Sequence, residues 1–233
     1  YYTHECPDMF REGKWWYLLY STFTTCFATH YRKAKSFQGP WEFPHDDELE
    51  ARGLYAIKTA FDGKYRYGFG WIPTRHENCD QNYLEWGGTL AVHEIYQLEN
   101  GDLAERIPHT IEEAFEKKQK ATILYVEDGI QKKENELFFS TENTAWVIFN
   151  NLPKQGLLKA KIQWKKEGCQ INFGIGLHME KGCDDGYFFR FEPRYNRMVF
   201  DLWPRGEIEG EQHRMGGDIP FVPAFERRVD YVN

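Results

Sequence analysis

The chain has 233 residues, room for one large β domain or two smaller ones. Its formal net charge is -7 and it has no run of five like charges, so it lacks the basic stripe that phosphate backbones need and nucleic acid is not an expected partner. No stretch of about 18 consecutive apolar residues occurs, so no membrane-spanning helix and no membrane partner are expected.

Aromatic residues make up 17% of the chain, a level that suits pleated sheets, where flat rings pack, and sugar-binding surfaces, where they stack on furanose or pyranose faces. The five cysteines, Cys6, Cys26, Cys79, Cys169 and Cys183, are scattered, odd in number and without a Cys-x-x-Cys pair. That pattern is neither a disulfide framework nor a zinc site. It favours a reducing compartment, and with no signal-peptide pattern at its opening the chain is expected to be cytoplasmic. No phosphate-binding, dinucleotide-binding, calcium-loop, zinc-protease or serine-nucleophile motif is present, so neither a cofactor nor a metal is expected.

In chain order, "HECPD" (His4–Asp8) leads into an aromatic, β-branched strand over Trp15–Thr25. Ser36–Pro44, with its Gly-Pro-Trp, reads as a turn. Leu54–Phe61 and Lys64–Trp71 form a hairpin about Asp62-Gly63, and Thr89–Ile107 repeats the pattern about Asn100-Gly101. Strand–turn–strand units at this spacing suggest four-stranded meanders, the form of propeller blades, although a sandwich gives a similar pattern. Pro108–Lys120 predicts a helix, with Thr110 and Glu113 as a capping box and Glu113–Lys117 and Glu116–Lys120 as i,i+4 pairs. The composition shift there divides the chain into 1–110, a linker helix at 111–120, and 121–233. The last segment alternates apolar and polar residues and pairs two aromatic strands about Pro193–Asn196, which fits an antiparallel sandwich, expected to be incomplete at its C-terminal end.

The stretch that carries chemistry is Glu5-Cys6-Pro7-Asp8. Cleaving a glycosidic bond needs a carboxylic acid that protonates the leaving oxygen. Such an acid must hold its proton near neutral pH, which partial burial and a nearby like charge favour, and Asp8 is a candidate for that charge. Read alone, a Glu beside a proline is more often a loop residue than a catalyst.

The order of landmarks adds to this. Glu5-Cys6-Pro7-Asp8, then "RGLYAIKTAFDGKYRYGFGW", then "WGGTLAVHEIYQLENGDLAERIP", resembles glycoside hydrolase family 32, the invertase, levanase and inulinase group. His4 stands where that family has a tryptophan, and Val92-His93-Glu94-Ile95 replaces its Pro-Arg, the mark of a divergent branch. The resemblance implies an all-β chain: about the last three blades of a five-bladed propeller in 1–110, then a β-sandwich. It implies a retaining mechanism on β-fructofuranosides such as sucrose or fructo-oligosaccharides. Glu5 would be the acid/base and Cys6 its tuning neighbour. Glu50, Arg52, Tyr55, Trp71 and Trp86 fall near the implied pocket, Arg52 to hold sugar hydroxyls or Glu5 itself, and the two tryptophans as pocket wall or blade core.

The family's Asn-Asp-Pro nucleophile and Arg-Asp-Pro motifs are both missing from the sequence. The expectation is therefore a site whose other half lies on the same parent polypeptide or another chain, with this chain inactive alone. Two alternatives stay open: an inverting family 43-like pentosidase, and a non-catalytic sugar-binding β protein.

Overall fold

A computed structural model describes residues 4–23, 27–49, 53–79, 82, 84–141, 144–150, 152–164, 172–179, 186–203, 214–215, 219–220 and 224–228. The chain divides into two compact units, one of residues 1–108 with 163–233, the other of 109–162. The described residues form an all-β protein whose strands pair antiparallel throughout, with one α-helical turn.

The first sheet of the larger unit contains β1 (Glu5–Glu12), β2 (Trp15–Thr22) and β3 (Ala28–Ala34), in that order. Along β2, Tyr17, Leu19 and Ser21 are buried on one face, and Tyr20 and Thr22 on the opposite face are buried as well. After β3 the chain turns back along its edge. The Tyr31 amide donates to the Asp47 carbonyl at 2.9 Å and the Leu49 amide to the Thr29 carbonyl at 2.9 Å, with bridges at Lys33–Glu42 and His30–Glu48. Residues 42–49 thus act as an irregular fourth strand and cover an edge that would otherwise stand open.

The second sheet runs β4 (Tyr55–Phe61), β5 (Arg66–Arg75), β6 (Leu84–Gln97), β7 (Leu103–Arg106), again in sequence order. The expected turns are present. Asp62 Oδ1 accepts from the amides of Lys64 at 2.8 Å and Tyr65 at 2.7 Å, and Asn100 Oδ1 accepts from the Asp102 amide at 2.9 Å. Each sheet is an up-and-down meander of the kind that makes a propeller blade. About three blades were expected in 1–110, but the described residues there form two such sheets.

Between these sheets lies the main core. Phe10, Tyr17, Leu19, Tyr31 and Leu49 come from the first, and Leu54, Ile57, Ile95 and Leu103 from the second. Full burial of such a side chain is worth about 1.5–3 kcal/mol, so this interface holds the two sheets together. Polar bonds fix its register: the Tyr17 hydroxyl donates to the Gly101 carbonyl at 2.8 Å, the Leu103 amide to the Tyr31 hydroxyl at 3.0 Å, and Lys33 Nζ pairs with Asp102 at 2.7 Å. Burial pushes the Tyr17 phenol up to about 12, so it remains a neutral donor at physiological pH.

The same unit holds a sheet of β12 (Phe173–Leu177), β13 (Gly186–Glu192), β14 (Arg197–Trp203) and β17 (Ala224–Arg228), with a short β15–β16 pair at Arg214–Met215 and Ile219–Pro220. The aromatic hairpin turns as its sequence predicts, through a 3-10 turn at Pro193–Tyr195 and Asn196 in the left-handed region.

In the smaller unit, β8 (Thr122–Val126) pairs with β11 (Val147–Asn150), and β9 (Ile130–Lys133) with β10 (Glu136–Phe139). The helix predicted to reach Lys120 is a single turn, α1 (His109–Glu113), closed by i→i+3 bonds from Ala114 and Phe115. Thr110 lies inside that turn, so it is not the cap, and the two i,i+4 pairs have no helix beneath them. The physical reason is nucleation: a short helix gains too few bonds to offset its first turn without an apolar face packed elsewhere, and α1 has no buried residue.

Candidate active site

Glu5 opens β1 opposite Ser21 of β2. Immediately after it the register slips by one residue, with Cys6 at φ 50°, a β-bulge on β1. The neighbouring strand repeats this arrangement. Tyr55 opens β4 opposite Trp71, the register slips again, and Ala56 sits at φ 58°. Neither bulge has the glycine that left-handed backbone favours, so each carries a strain of about 1–2 kcal/mol. Together they bring the first residues of two strands from different sheets into contact: the Tyr55 hydroxyl donates to Glu5 Oε2 at 2.7 Å.

The β4 bulge is held from behind. Ser21 Oγ accepts from the Ala56 amide at 3.0 Å and lies 3.0 Å from Thr29 Oγ1, which donates to the Leu54 carbonyl at 3.4 Å. Ser21 and Thr29 are fully buried, and these bonds satisfy them. Ala56→Gly is expected to raise stability by up to about 1 kcal/mol, the relief of left-handed strain less the extra chain entropy of glycine. Urea unfolding measures it, and a loss greater than about 1 kcal/mol would contradict the strain assigned to this bulge.

Tyr55 is enclosed, with 1% of its surface exposed. Its ring stacks on Phe27 at 4.5 Å, with Trp71 at 5.4 Å and Trp86 at 5.9 Å. Phe23 leans on Trp86 at 5.8 Å. Burial first, then the hydrogen bond to Glu5 and the charges of Glu5 and Cys6, push the Tyr55 phenol far above its ordinary range, so it stays protonated and donates. Trp86 is 43% exposed, which makes it the open face of the aromatic group, whereas Trp71 is half-buried within it.

Glu5 and Cys6 are both half-buried, and the Cys6 thiol is free. Asp8 was expected to place a like charge beside Glu5. Its carboxylate accepts from the Thr59 amide at 2.8 Å, further along β4, while Lys58 reaches the Pro7 carbonyl. Asp8 therefore ties β1 to β4 below the bulges. His4 is exposed, edge-on to Tyr20 at 4.7 Å. Glu50 and Arg52 lie outside the described residues.

Of the residues singled out from the sequence, the fold gathers Glu5, Cys6, Tyr55, Trp71 and Trp86 at one place. Sequence reasoning missed Phe23, Phe27, Ser21 and Thr29, all on the β2–β3 corner. Their signal was the dense Ser, Thr and Phe run of "LLYSTFTTCFATHY", which reads as strand but does not show which strand it touches. Among the described residues no group of three His, Cys, Asp or Glu side chains is placed to hold a metal ion. The arrangement offers a half-buried carboxyl group, hydrogen-bonded by a neutral phenol whose ring is itself packed against two tryptophans. Such a group can give a proton to a leaving oxygen or take one from water.

No family model matches the sequence, and no curated protein does. Solved structures show partial similarity. An exo-1,5-α-L-arabinanase from a bovine ruminal metagenomic library is 17% identical, with a TM-score of 0.35 over 44% of this chain and 38% of that one. An α-L-arabinanase of Cellvibrio cellulosa, solved with arabinohexaose, is 16% identical, with a TM-score of 0.33 over 44% and 36%. A xylan β-1,4-xylosidase of Bacillus halodurans C-125 is 11% identical, with a TM-score of 0.37 over 84% and 38%. The chain thus spans 36–38% of the length of these structures.

Proposed function

We propose that this chain carries the acid/base part of a glycoside hydrolase site, acting on β-fructofuranosides such as sucrose or short fructans by a retaining mechanism. The observation that carries the reading is Glu5: a half-buried carboxyl group at the head of β1, bonded to a buried tyrosine whose ring packs against an exposed tryptophan. In the first step Glu5 protonates the glycosidic oxygen as the nucleophilic aspartate bonds to the anomeric carbon and the glycosidic bond breaks. In the second, as a carboxylate, it takes a proton from the water that bonds to the anomeric carbon and releases the aspartate. Trp86 offers a flat apolar face for the sugar. The nucleophilic aspartate is supplied from outside this chain, because the sequence has no Asn-Asp-Pro.

The test is a substrate panel with the full-length gene product: sucrose, inulin and levan oligosaccharides, and aryl arabinosides and xylosides. Hydrolysis of the fructosides, with the anomeric configuration kept in the first product seen by NMR, is the expected result. Preference for the pentosides with inverted product would replace it with the family 43-like alternative. Oligosaccharide binding without hydrolysis of any substrate would leave a sugar-binding protein.

A further inference from the structure

We propose that Tyr55 is the positioning residue of Glu5: its hydroxyl holds Oε2, which leaves Oε1 as the oxygen that exchanges the proton. This rests on the reading of Glu5 as the acid/base. Proton transfer to a leaving oxygen is sensitive to sub-ångström placement, and a free glutamate side chain has several rotamers to lose. Tyr55 supplies the missing rigidity. Its ring is clamped by Phe27, Trp71 and Trp86, and the backbone just after it is fastened by the Ala56–Ser21 bond. With 1% of its surface exposed it has no face to offer a sugar, so it acts through Glu5. The two bulges give the contact its geometry, since the extra residue in each strand follows directly on the residue that makes the bond. Among the described residues no other hydrogen bond reaches the Glu5 carboxyl group.

Tyr55→Phe in the full-length gene product keeps the ring and removes only the hydroxyl. The expected result is a fall in kcat/KM of roughly tenfold to a hundredfold on sucrose, little change on an aryl fructoside with a nitrophenol leaving group, and no further loss when added to Glu5→Gln. The nitrophenol arm matters because a good leaving group needs no acid. Unchanged sucrose turnover would overturn the inference, as would an equal loss on both substrates and in the Glu5→Gln background, which would make Tyr55 a fold residue only. A wild-type protein without glycosidase activity would remove the reading of Glu5, and the contact would then be read from the 13C resonance of the Glu5 carboxyl carbon. That resonance is expected to move in Tyr55→Phe, and an unmoved signal overturns the contact. Should Tyr55→Phe not fold, 3-fluorotyrosine at position 55 keeps ring and hydroxyl while strengthening the donor. It is expected to move the same resonance, and its failure to do so is equally decisive.

Discussion

Glu5→Gln is expected to lower kcat/KM of the full-length gene product on sucrose by about 10²–10⁴-fold, the range that a well-placed general acid contributes. The substitution is nearly isosteric. The amide oxygen of Gln can still accept from the Tyr55 hydroxyl, so the contact between β1 and β4 survives and the fold is not disturbed. What is lost is the transferable proton. The effect is therefore expected to fall on turnover while substrate binding, followed by calorimetry, stays close to wild type. It is also expected to shrink for an aryl fructoside whose nitrophenol departs without protonation. Unaltered hydrolysis of sucrose and inulin oligosaccharides by Glu5→Gln would remove Glu5 from the chemistry altogether.

The second large effect concerns the fold. Gly101→Ala is expected to destabilise the protein by about 2–5 kcal/mol, whereas Gly63→Ala costs only about 1–2 kcal/mol. Both glycines sit in hairpin turns at positive φ, 82° for Gly101 and 102° for Gly63, so both variants carry the backbone strain. They differ in their surroundings. A Cβ at Gly63 meets nothing within 4 Å, while one at Gly101 falls 2.1 Å from Nε1 of Trp15. Trp15 cannot easily yield, because it packs against the core between the two sheets and Lys33 and Lys35 sit over its ring at 4.6 and 3.2 Å. The Gly101 carbonyl also accepts the buried Tyr17 hydroxyl, so a shift of the turn loosens that bond too. Urea midpoints of the two variants measure the difference, and equal losses would show that the turn can slide off Trp15 at no cost.

The two effects separate what the site needs. As the proposed acid/base, Glu5 needs its proton and a fixed direction. In that proposal the direction comes from Tyr55, and Tyr55 is placed by a sheet-to-sheet core that Gly101, Tyr17 and Tyr31 hold in register. Loss of activity through Gly101 would appear as reduced stability with the leaving-group dependence unchanged, whereas loss through Tyr55 would change that dependence.

Much of this molecule is local and therefore legible in its sequence. The Asp62-Gly63 and Asn100-Gly101 turns and the aromatic hairpin about Pro193–Asn196 follow from turn chemistry, which needs only neighbours a few residues apart. Glu5 stood out by its residue type and its Cys-Pro-Asp neighbours. The helix after Pro108 was the local reading that failed: its capping and charge pairs were present, but the chain there has no apolar face packed on a core, and propensity alone does not sustain a short helix.

Only the tertiary structure decided the rest. Cys6 and Ala56 carry no glycine to announce a bulge, so nothing near them in sequence marks the two slips that aim Glu5 and Tyr55 at each other. Tyr55 is separated from Glu5 by 50 residues and from its stacking partner Phe27 by a strand and the edge-covering return. Such pairings depend on how two sheets stack, which is set by the summed burial of Phe10, Tyr17, Leu19, Tyr31, Ile57 and Ile95 and by no single motif. Composition and turns thus determined that the chain is a set of antiparallel meanders with an acid at the head of the first, and the packing of one meander on the next determined which side chain holds that acid.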